Sequence, residues 1–259
     1  MSLPPPRKLP AKRKVAFGKP KKTAGHRVVL YGPGGIGKTT LASHAPGPVV
    51  WFDLDDSLSR LPDMKDSTVV EAQSWSDITD ALEFDGWDGI GTIVIDSVTK
   101  AEELAIAHTL QYVPHEKGHK CLNLDDYGFG KGLTHNFTTF ISLFDILDKH
   151  AHAGRNVVLI AHDCTSSVPN PAGEDWLRFE PRLQSPASGK SSIRLRCREW
   201  ADHLLFLGYD VISKDGKGQG SGTRTIYPSE LPHCMAKSRT CQQPIPLDEP
   251  AEIWKEILK

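Results

Sequence analysis

Residues 27–39 read Arg27-Val28-Val29-Leu30-Tyr31-Gly32-Pro33-Gly34-Gly35-Ile36-Gly37-Lys38-Thr39. The first five form a short apolar run, the signature of a buried strand. The last eight fit the spacing G-x-x-x-x-G-K-[ST], and a helix-forming stretch, Lys38–His44, follows. Glycines let successive backbone N–H groups turn inward as an anion cradle, and the helix N-terminus adds its partial positive charge. Gly32, Pro33, Gly34, Gly35, Ile36, Gly37, Lys38, Thr39 and Thr40 are therefore the candidate ATP-binding residues. Lys38 is placed to reach the β- and γ-phosphates and the Thr39 hydroxyl to hold Mg²⁺, with Thr40 beside it.

Working outward, Val49–Phe52, Thr92–Ile95 and Asn156–Ala161 are further continuous apolar runs. Lys100–Val113 and Leu133–His150 have helical spacing, the latter with Phe137, Phe140, Ile141, Phe144 and Leu147 on one face. Strands of continuous Val and Ile alternating with helices predict an α/β fold with a mostly parallel central sheet covered on both faces. After residue 162 the texture changes. Residues 163–190 are rich in Pro, Ser, Gly and Asn and read as a long segment, too long for a plain connector and either functional or mobile. Tyr209–Ile212 and Thr223–Tyr227 flank a Gly-rich turn and predict a C-terminal β-hairpin, and Glu249–Leu258 predicts a short closing helix.

A phosphate-binding loop needs an acid at the end of an adjacent strand to orient the metal's water shell. Asp96, after Thr92–Ile95, supplies it, so Thr39 and Asp96 are the candidate Mg²⁺ ligands. The residue after Asp96 is Ser97 rather than the second acid that many ring-forming ATPases carry, so a catalytic base is sought elsewhere. Asp53, Asp55 and Asp56 follow the second strand; in extended chain Asp53 and Asp55 would point the same way, and either can activate water. His162 ends the fourth core strand at the same edge and is a candidate γ-phosphate sensor.

Composition fits a soluble globular chain: 39% hydrophobic and 24% charged over 259 residues. No apolar run approaches the about 18 residues of a membrane span, and the basic N-terminus lacks the apolar stretch of a secretory signal. Five cysteines without a C-x-x-C pair argue against a disulfide framework and for a reducing cytosol. Residues 1–26 hold eight Lys and Arg and no acid, Asp53 being the first acid of the chain. Residues 1–25 therefore read as a basic, Pro-rich flexible arm, either a polyanion contact or a solubilising leader, in which Phe17 is the one bulky apolar residue, either an anchor for a neighbouring subunit or loose. Residues 26–259 read as the ATPase domain. His115-Glu116-Lys117-Gly118-His119 matches H-E-x-x-H, with Cys121 a conceivable third ligand, but Pro114 and Gly118 oppose the helix that a zinc site of this type needs.

These features together resemble the RecA-like recombinase ATPases, nearest to the phage branch of AAA-family nucleotide-binding proteins that includes single-strand annealing recombinases. The resemblance covers about residues 27–240 and rests on four stretches. They are the glycine loop with Ile93–Ser97, Phe52–Asp56 after the second strand, Val157–Asp163, and Asn170–Pro181 with Arg198–Asp202. It implies a RecA-like core, with Asp55 in the place of the catalytic acid, usually Glu, and His162 in the place of the phosphate sensor. It also implies that Lys237 and Arg239, two apart on a late strand, act on the nucleotide of an adjacent protomer in a ring or filament. Residues 115–132 and 163–190 would face single-stranded DNA, with Tyr127, Phe129, Trp176 and Phe179 to stack on bases and Lys131, Arg178, Arg182 and Lys190 to follow phosphates.

The expected function is Mg²⁺-dependent ATP binding and hydrolysis by a homo-oligomer acting on single-stranded DNA in phage recombination or annealing, in the cytoplasm, the host's if the chain is phage-encoded. A nucleotide-gated assembly or loading module with little turnover is the alternative, motivated by the short side chain of Asp55. A small-molecule kinase is disfavoured because nothing resembles a lid or a substrate-binding acid pair.

Overall fold

The computed structural model describes residues 25–61, 64, 67–170, 172–214 and 217–259, with side chains at 211–221 left undescribed. Residues 1–24, and with them nearly all of the expected arm and Phe17, lie outside the described residues.

The chain runs β1 (Arg27–Tyr31), α1 (Lys38–Ser43), β2 (Val49–Asp53), β3 (Thr68–Val69), α2 (Trp75–Glu83), β4 (Thr92–Asp96) and α3 (Val98–Tyr112). It continues through α4 (Lys131–His152), β5 (Asn156–Ala161), β6 (Asp163–Val168), β7 (Trp176–Pro181) and α5 (Ile193–Trp200). Then come β8 (His203–Lys214), β9 (Lys217–Tyr227), β10 (Lys237–Ser238), β11 (Ile245–Pro246) and α6 (Pro250–Ile257). The main sheet has the order β11-β9-β8-β1-β5-β4-β2-β3, with β10 beside β8. Every pairing from β8 to β3 is parallel, and β9, β10 and β11 add antiparallel strands at one end. The α/β fold with a mostly parallel sheet is the one expected.

Burial on both faces explains the unbroken apolar runs. Val29 and Tyr31 of β1 enter the core beneath α2, α3, α4 and α5, while Val28 and Leu30 enter the core beneath α1 and α6. Period-two alternation therefore sends Val28 to Tyr31 alternately into one core and the other. On α4, Phe140, Phe144 and Leu147 of the expected stripe are buried together with Leu143, and Phe137 and Ile141 sit at its margin.

Two expectations are corrected. Residues 163–190, read as a loop without strands, hold a hairpin: β6 and β7 pair antiparallel from Asp163↔Pro181 to Val168↔Trp176. The hydroxyl-rich β6 shows little apolar alternation because most of its side chains are not buried, so the hairpin was hidden from a hydrophobic reading. The Gly-rich turn is also shorter than expected, since pairing continues out to Lys214↔Lys217. Two helices were missed. One carried a legible signal, a Ser74/Asp77 capping box, and the other starts at Ser192, whose hydroxyl accepts from Leu195 N.

The return from β7 is fastened by Gln184. Its N–H donates to both carboxyl oxygens of Glu102 on α3 (2.9 and 3.1 Å), and its side chain bonds Leu133 O, Asn136 and Ser191 O. Burial pushes the Glu102 carboxyl up to about 7 from 4.5, against the Gln184 N–H and the charge of Arg194, which pull it down. A carboxyl whose folded value is raised takes up a proton on folding, so its favourable contribution is complete below about 4.5 and is lost as pH rises through about 7. The loss is at most roughly 3 kcal/mol. Denaturant titration at pH 5 and pH 8 should show that loss in the wild type and not in Glu102→Gln. Equal pH dependence of the two proteins would rule out the assignment.

Candidate nucleotide site

The glycine loop joins β1 to α1 where the sheet's parallel strands end. Gly32 is required: its φ is +148°, and a Cβ there would lie 2.1 Å from Leu207 O of β8. Gly35 and Gly37 also have positive φ, while nothing stands within 4 Å of a Cβ at Gly34 or Gly35. The loop is thus pinned at its start and open at its crown, leaving space for an anion. Lys38 is buried and its ammonium donates to Gly32 O (2.6 Å) and Pro33 O (2.9 Å). Burial lowers its pKa from the ordinary value, while Asp163, Asp96 and Asp55 act in the opposite sense.

Asp96 ends β4. Its Oδ2 accepts from the Thr39 hydroxyl at 2.8 Å and from Ser57 Oγ at 3.3 Å. Burial raises its pKa, the Thr39 bond opposes this, and Asp55 and Asp53 add to it. A hydroxyl and a carboxylate facing each other beside an anion cradle are the hard oxygen donors that a hydrated Mg²⁺ takes. Thr39 and Asp96 therefore fit the ion. Thr40 lies one residue further along α1 and is exposed; its carbonyl accepts from Ser43 Oγ at 2.8 Å.

The acids after β2 do not stay extended. Leu54 N and Asp55 N both donate to Asp96 O (2.7 and 3.3 Å), which turns the chain over the end of β4. Asp53 caps the following turn, accepting from Ser57 N, Ser57 Oγ and Leu58 N at 2.9–3.1 Å. Asp55 diverges from it and meets His162: Asp55 Oδ2 lies 3.2 Å from His162 Nε2. The expectation that Asp53 and Asp55 point the same way is corrected, and Asp53 has a structural partner set of its own. Asp56 sits in the left-handed turn that follows, at φ 51°. His162 N donates to Thr99 Oγ1 (3.1 Å), so the residue that ends β5 is tied to the first turn of α3. Lys38, Asp55, Asp96 and His162 thus converge on one edge.

Lys237 and Arg239 do not join them. Lys237 pairs with Leu204 near the start of β8, which is the opposite end of the sheet from the loop because β8 runs parallel to β1. Its ammonium donates to Arg198 O, Glu199 O and Ala201 O (2.7–3.2 Å), closing the C-terminus of α5. Arg239 lies beyond β10, not on a shared strand face, and pairs with Asp202 at 3.0 Å while its side chain stays 62% exposed.

Three further residues belong to the site and were not foreseen. Ser57 bridges Asp53 and Asp96. Asp163 is the largest charge acting on Lys38. Arg224 of β9 donates to Ile36 O at 3.0 Å and braces the loop from outside. Asp163 could have been read as the residue after His162; the other two depend on tertiary contacts. His115–His119 forms a turn closed by Gly118 N to His115 O (2.8 Å), not a helix, and its two imidazoles lie 3.7 Å apart.

The loop, the strand-end acid and the parallel sheet are now placed together, and a family profile described as "AAA domain" matches residues 24–240. The chain belongs to the AAA domain family. No curated protein matches it in sequence. An AAA domain implies a P-loop ATPase that takes ATP and Mg²⁺, in agreement with the cradle and donor set described above. Among the described residues of this AAA domain, no helix is long and apolar enough to cross a membrane.

The contrast between glycines is testable. Gly32→Ala forces a side chain onto a backbone carbonyl and should destabilise the protein by about 3 kcal/mol or more. Gly34→Ala meets open space and should fall within about 0.5 kcal/mol of wild type. Chemical denaturation of the two variants reads the difference directly.

Proposed function

We propose that the protein is a Mg²⁺-dependent ATPase that acts on single-stranded DNA in recombination or annealing, within the phage branch that its sequence resembles. The convergence of Lys38, Thr39, Asp96, Asp55 and His162 on the open crown of the glycine loop carries the reading. Backbone N–H groups and Lys38 would hold the triphosphate, and Thr39 and Asp96 would hold Mg²⁺, which when bound supplies charge neutralisation between the β- and γ-phosphates. A water oxygen bonds to the γ-phosphorus as the bond to the β–γ bridging oxygen breaks, and Asp55 orients that water and takes up its proton. His162, in contact with Asp55, senses the γ-phosphate.

The DNA part rests on the segments that follow β4 and β5. The start of α4, just past residues 115–132, meets the return of the β6–β7 hairpin: Gln184 bonds Leu133 O, and Thr134 Oγ1 lies 3.2 Å from Ser191 Oγ. Phe129 is fully exposed at 104%, held at φ 50° between Gly128 and Gly130, and Trp176 is exposed at the end of the β6–β7 hairpin. Arg182 and Lys190 are exposed as well. Other expected contacts are used internally. Tyr127 is buried and bonds Thr109 O and Val113 O, Phe179 stacks on Phe206, and Arg178 pairs with Glu180 and Glu230. The stacking surface we propose is therefore Phe129 and Trp176. Any cation supplied to a neighbouring protomer in a ring or filament is Arg239, since Lys237 is held by three carbonyls. A second reading, a nucleotide-gated assembly module with little turnover, is favoured by the engagement of Asp55 with His162.

Lys38→Ala should abolish ATP binding measured by calorimetry with magnesium. Asp55→Asn should bind ATP within a fewfold of wild type and lose turnover by about 10²-fold or more. Single-stranded DNA should stimulate the wild-type rate, whereas a flat response would favour the assembly module. Phe129→Ala and Trp176→Ala should each weaken DNA binding by about 1–3 kcal/mol per stacked base, read by fluorescence anisotropy.

A further inference from the structure

The charges of this chain are segregated along its sequence. Residues 1–26 carry eight Lys and Arg and no acid, and residues 66–99 carry eight Asp and Glu and no Lys or Arg. The second stretch folds into β3, α2, the turn after it and β4. It leaves Glu71, Asp77, Asp80, Glu83, Asp85 and Asp88 exposed along the β3–α2 edge of the sheet. Lys149 offsets Glu83 and Arg155 offsets Asp88. Glu71, Asp80 and Asp85 make no ion pair among the described residues, so the face keeps a negative excess.

The same face is apolar beneath its acids. A groove of about 450 Å³ is walled by Val50, Val70, Ala81, Phe84, Trp87 and Ile90. Phe84 stands 74% exposed on its rim. A second depression of about 570 Å³ shares Phe84 and Trp87 with it and reaches Arg155. An exposed aromatic rim around an apolar floor is a surface that binding would cover.

The described chain begins beside this surface. Gly25 N donates to Ala151 O at 3.2 Å, and a Cβ at Gly25 would lie 2.0 Å from Arg155 O, so backbone packs on backbone there. Arg155 in turn donates through Nε to Trp87 O at 2.8 Å. Gly25 therefore stands one residue, Arg155, away from the Trp87 wall of the groove. Phe17, its only aromatic, is eight residues from Gly25, and eight residues reach up to about 27 Å.

We propose that the basic arm docks on the acidic face of its own chain, with Phe17 in the groove between Phe84 and Trp87 and its Lys and Arg residues against Glu71, Asp80, Asp85 and their neighbours. Charge complementarity sets the partner, and the short tether makes the contact intramolecular, with an effective concentration near the millimolar range. Ionic contacts at this exposed surface are weak singly and screened by salt, so the docked arm is released as ionic strength rises.

The test replaces Phe17 in the full-length protein with the photo-cross-linker p-benzoylphenylalanine, irradiates nucleic-acid-free protein at low salt, and maps the products by mass spectrometry. The expected product has the mass of one chain and joins residue 17 to a peptide within residues 81–90. Its yield should fall about tenfold in 1 M NaCl and in the double variant Asp80→Lys/Asp85→Lys, which lies outside the nucleotide site. Cross-links spread over other surfaces, a product of doubled mass, an undiminished yield at residues 81–90 after charge reversal, or no cross-link at all would each overturn it. Failure of ATP binding would leave this result unaffected, since the face and the glycine loop share no residue.

Discussion

One buried carboxylate organises the nucleotide edge. Asp96 accepts from the Thr39 hydroxyl and Ser57 Oγ through a single oxygen, and its backbone carbonyl takes the N–H groups of Leu54 and Asp55. α1, the chain after β2 and the start of α3 are thereby fixed to the end of one strand. Burial opposes the charge of that carboxylate, and the hydroxyls oppose the burial. Take the carboxylate away, and Thr39 and Ser57 lose their shared acceptor, while the turn that directs Asp53 to its cap and Asp55 to His162 keeps its pivot in the backbone carbonyl.

α3 extends that control away from the edge. Its N-cap Ser97 follows Asp96 directly, its Thr99 accepts from His162 N, and its Glu102 accepts from Gln184 N. Three points within two turns of one helix thus touch the candidate metal acid, the end of β5 and the return of the β6–β7 hairpin. A helix transmits displacement along its axis better than a loop does, because its backbone bonds are internal. Since β6 starts one residue after His162, the hairpin is held at both its departure and its return by the same helix.

How far the sequence speaks depends on how local the determining interaction is. The glycine spacing, the apolar strands and the closing helix were legible because each is set within a few residues by backbone freedom or by burial period. The divergence of Asp53 and Asp55 was not, because it is caused by the carbonyl of a residue more than forty positions away. β6 escaped notice because its exposed hydroxyl side chains give no apolar rhythm, and Arg224 because only strand pairing brings it to Ile36. Lys237 shows the reverse failure. Its spacing from Arg239 is right for one strand face, yet the strand ends between them and the ammonium is spent on the carbonyls of α5.

The contact between Asp55 and His162 also changes what a shorter acid means. Placed alone, Asp would sit one methylene further from a water than Glu. Here its carboxylate is oriented by an imidazole on the neighbouring edge and by the turn that Asp96 enforces. A carboxylate held in this way has fewer positions open to it than a longer free side chain, so its place is set by His162 and the turn rather than by its own reach. The same imidazole lies between that acid and the root of the β6–β7 hairpin. A shift of His162 would therefore move Asp55 and the root of the hairpin together.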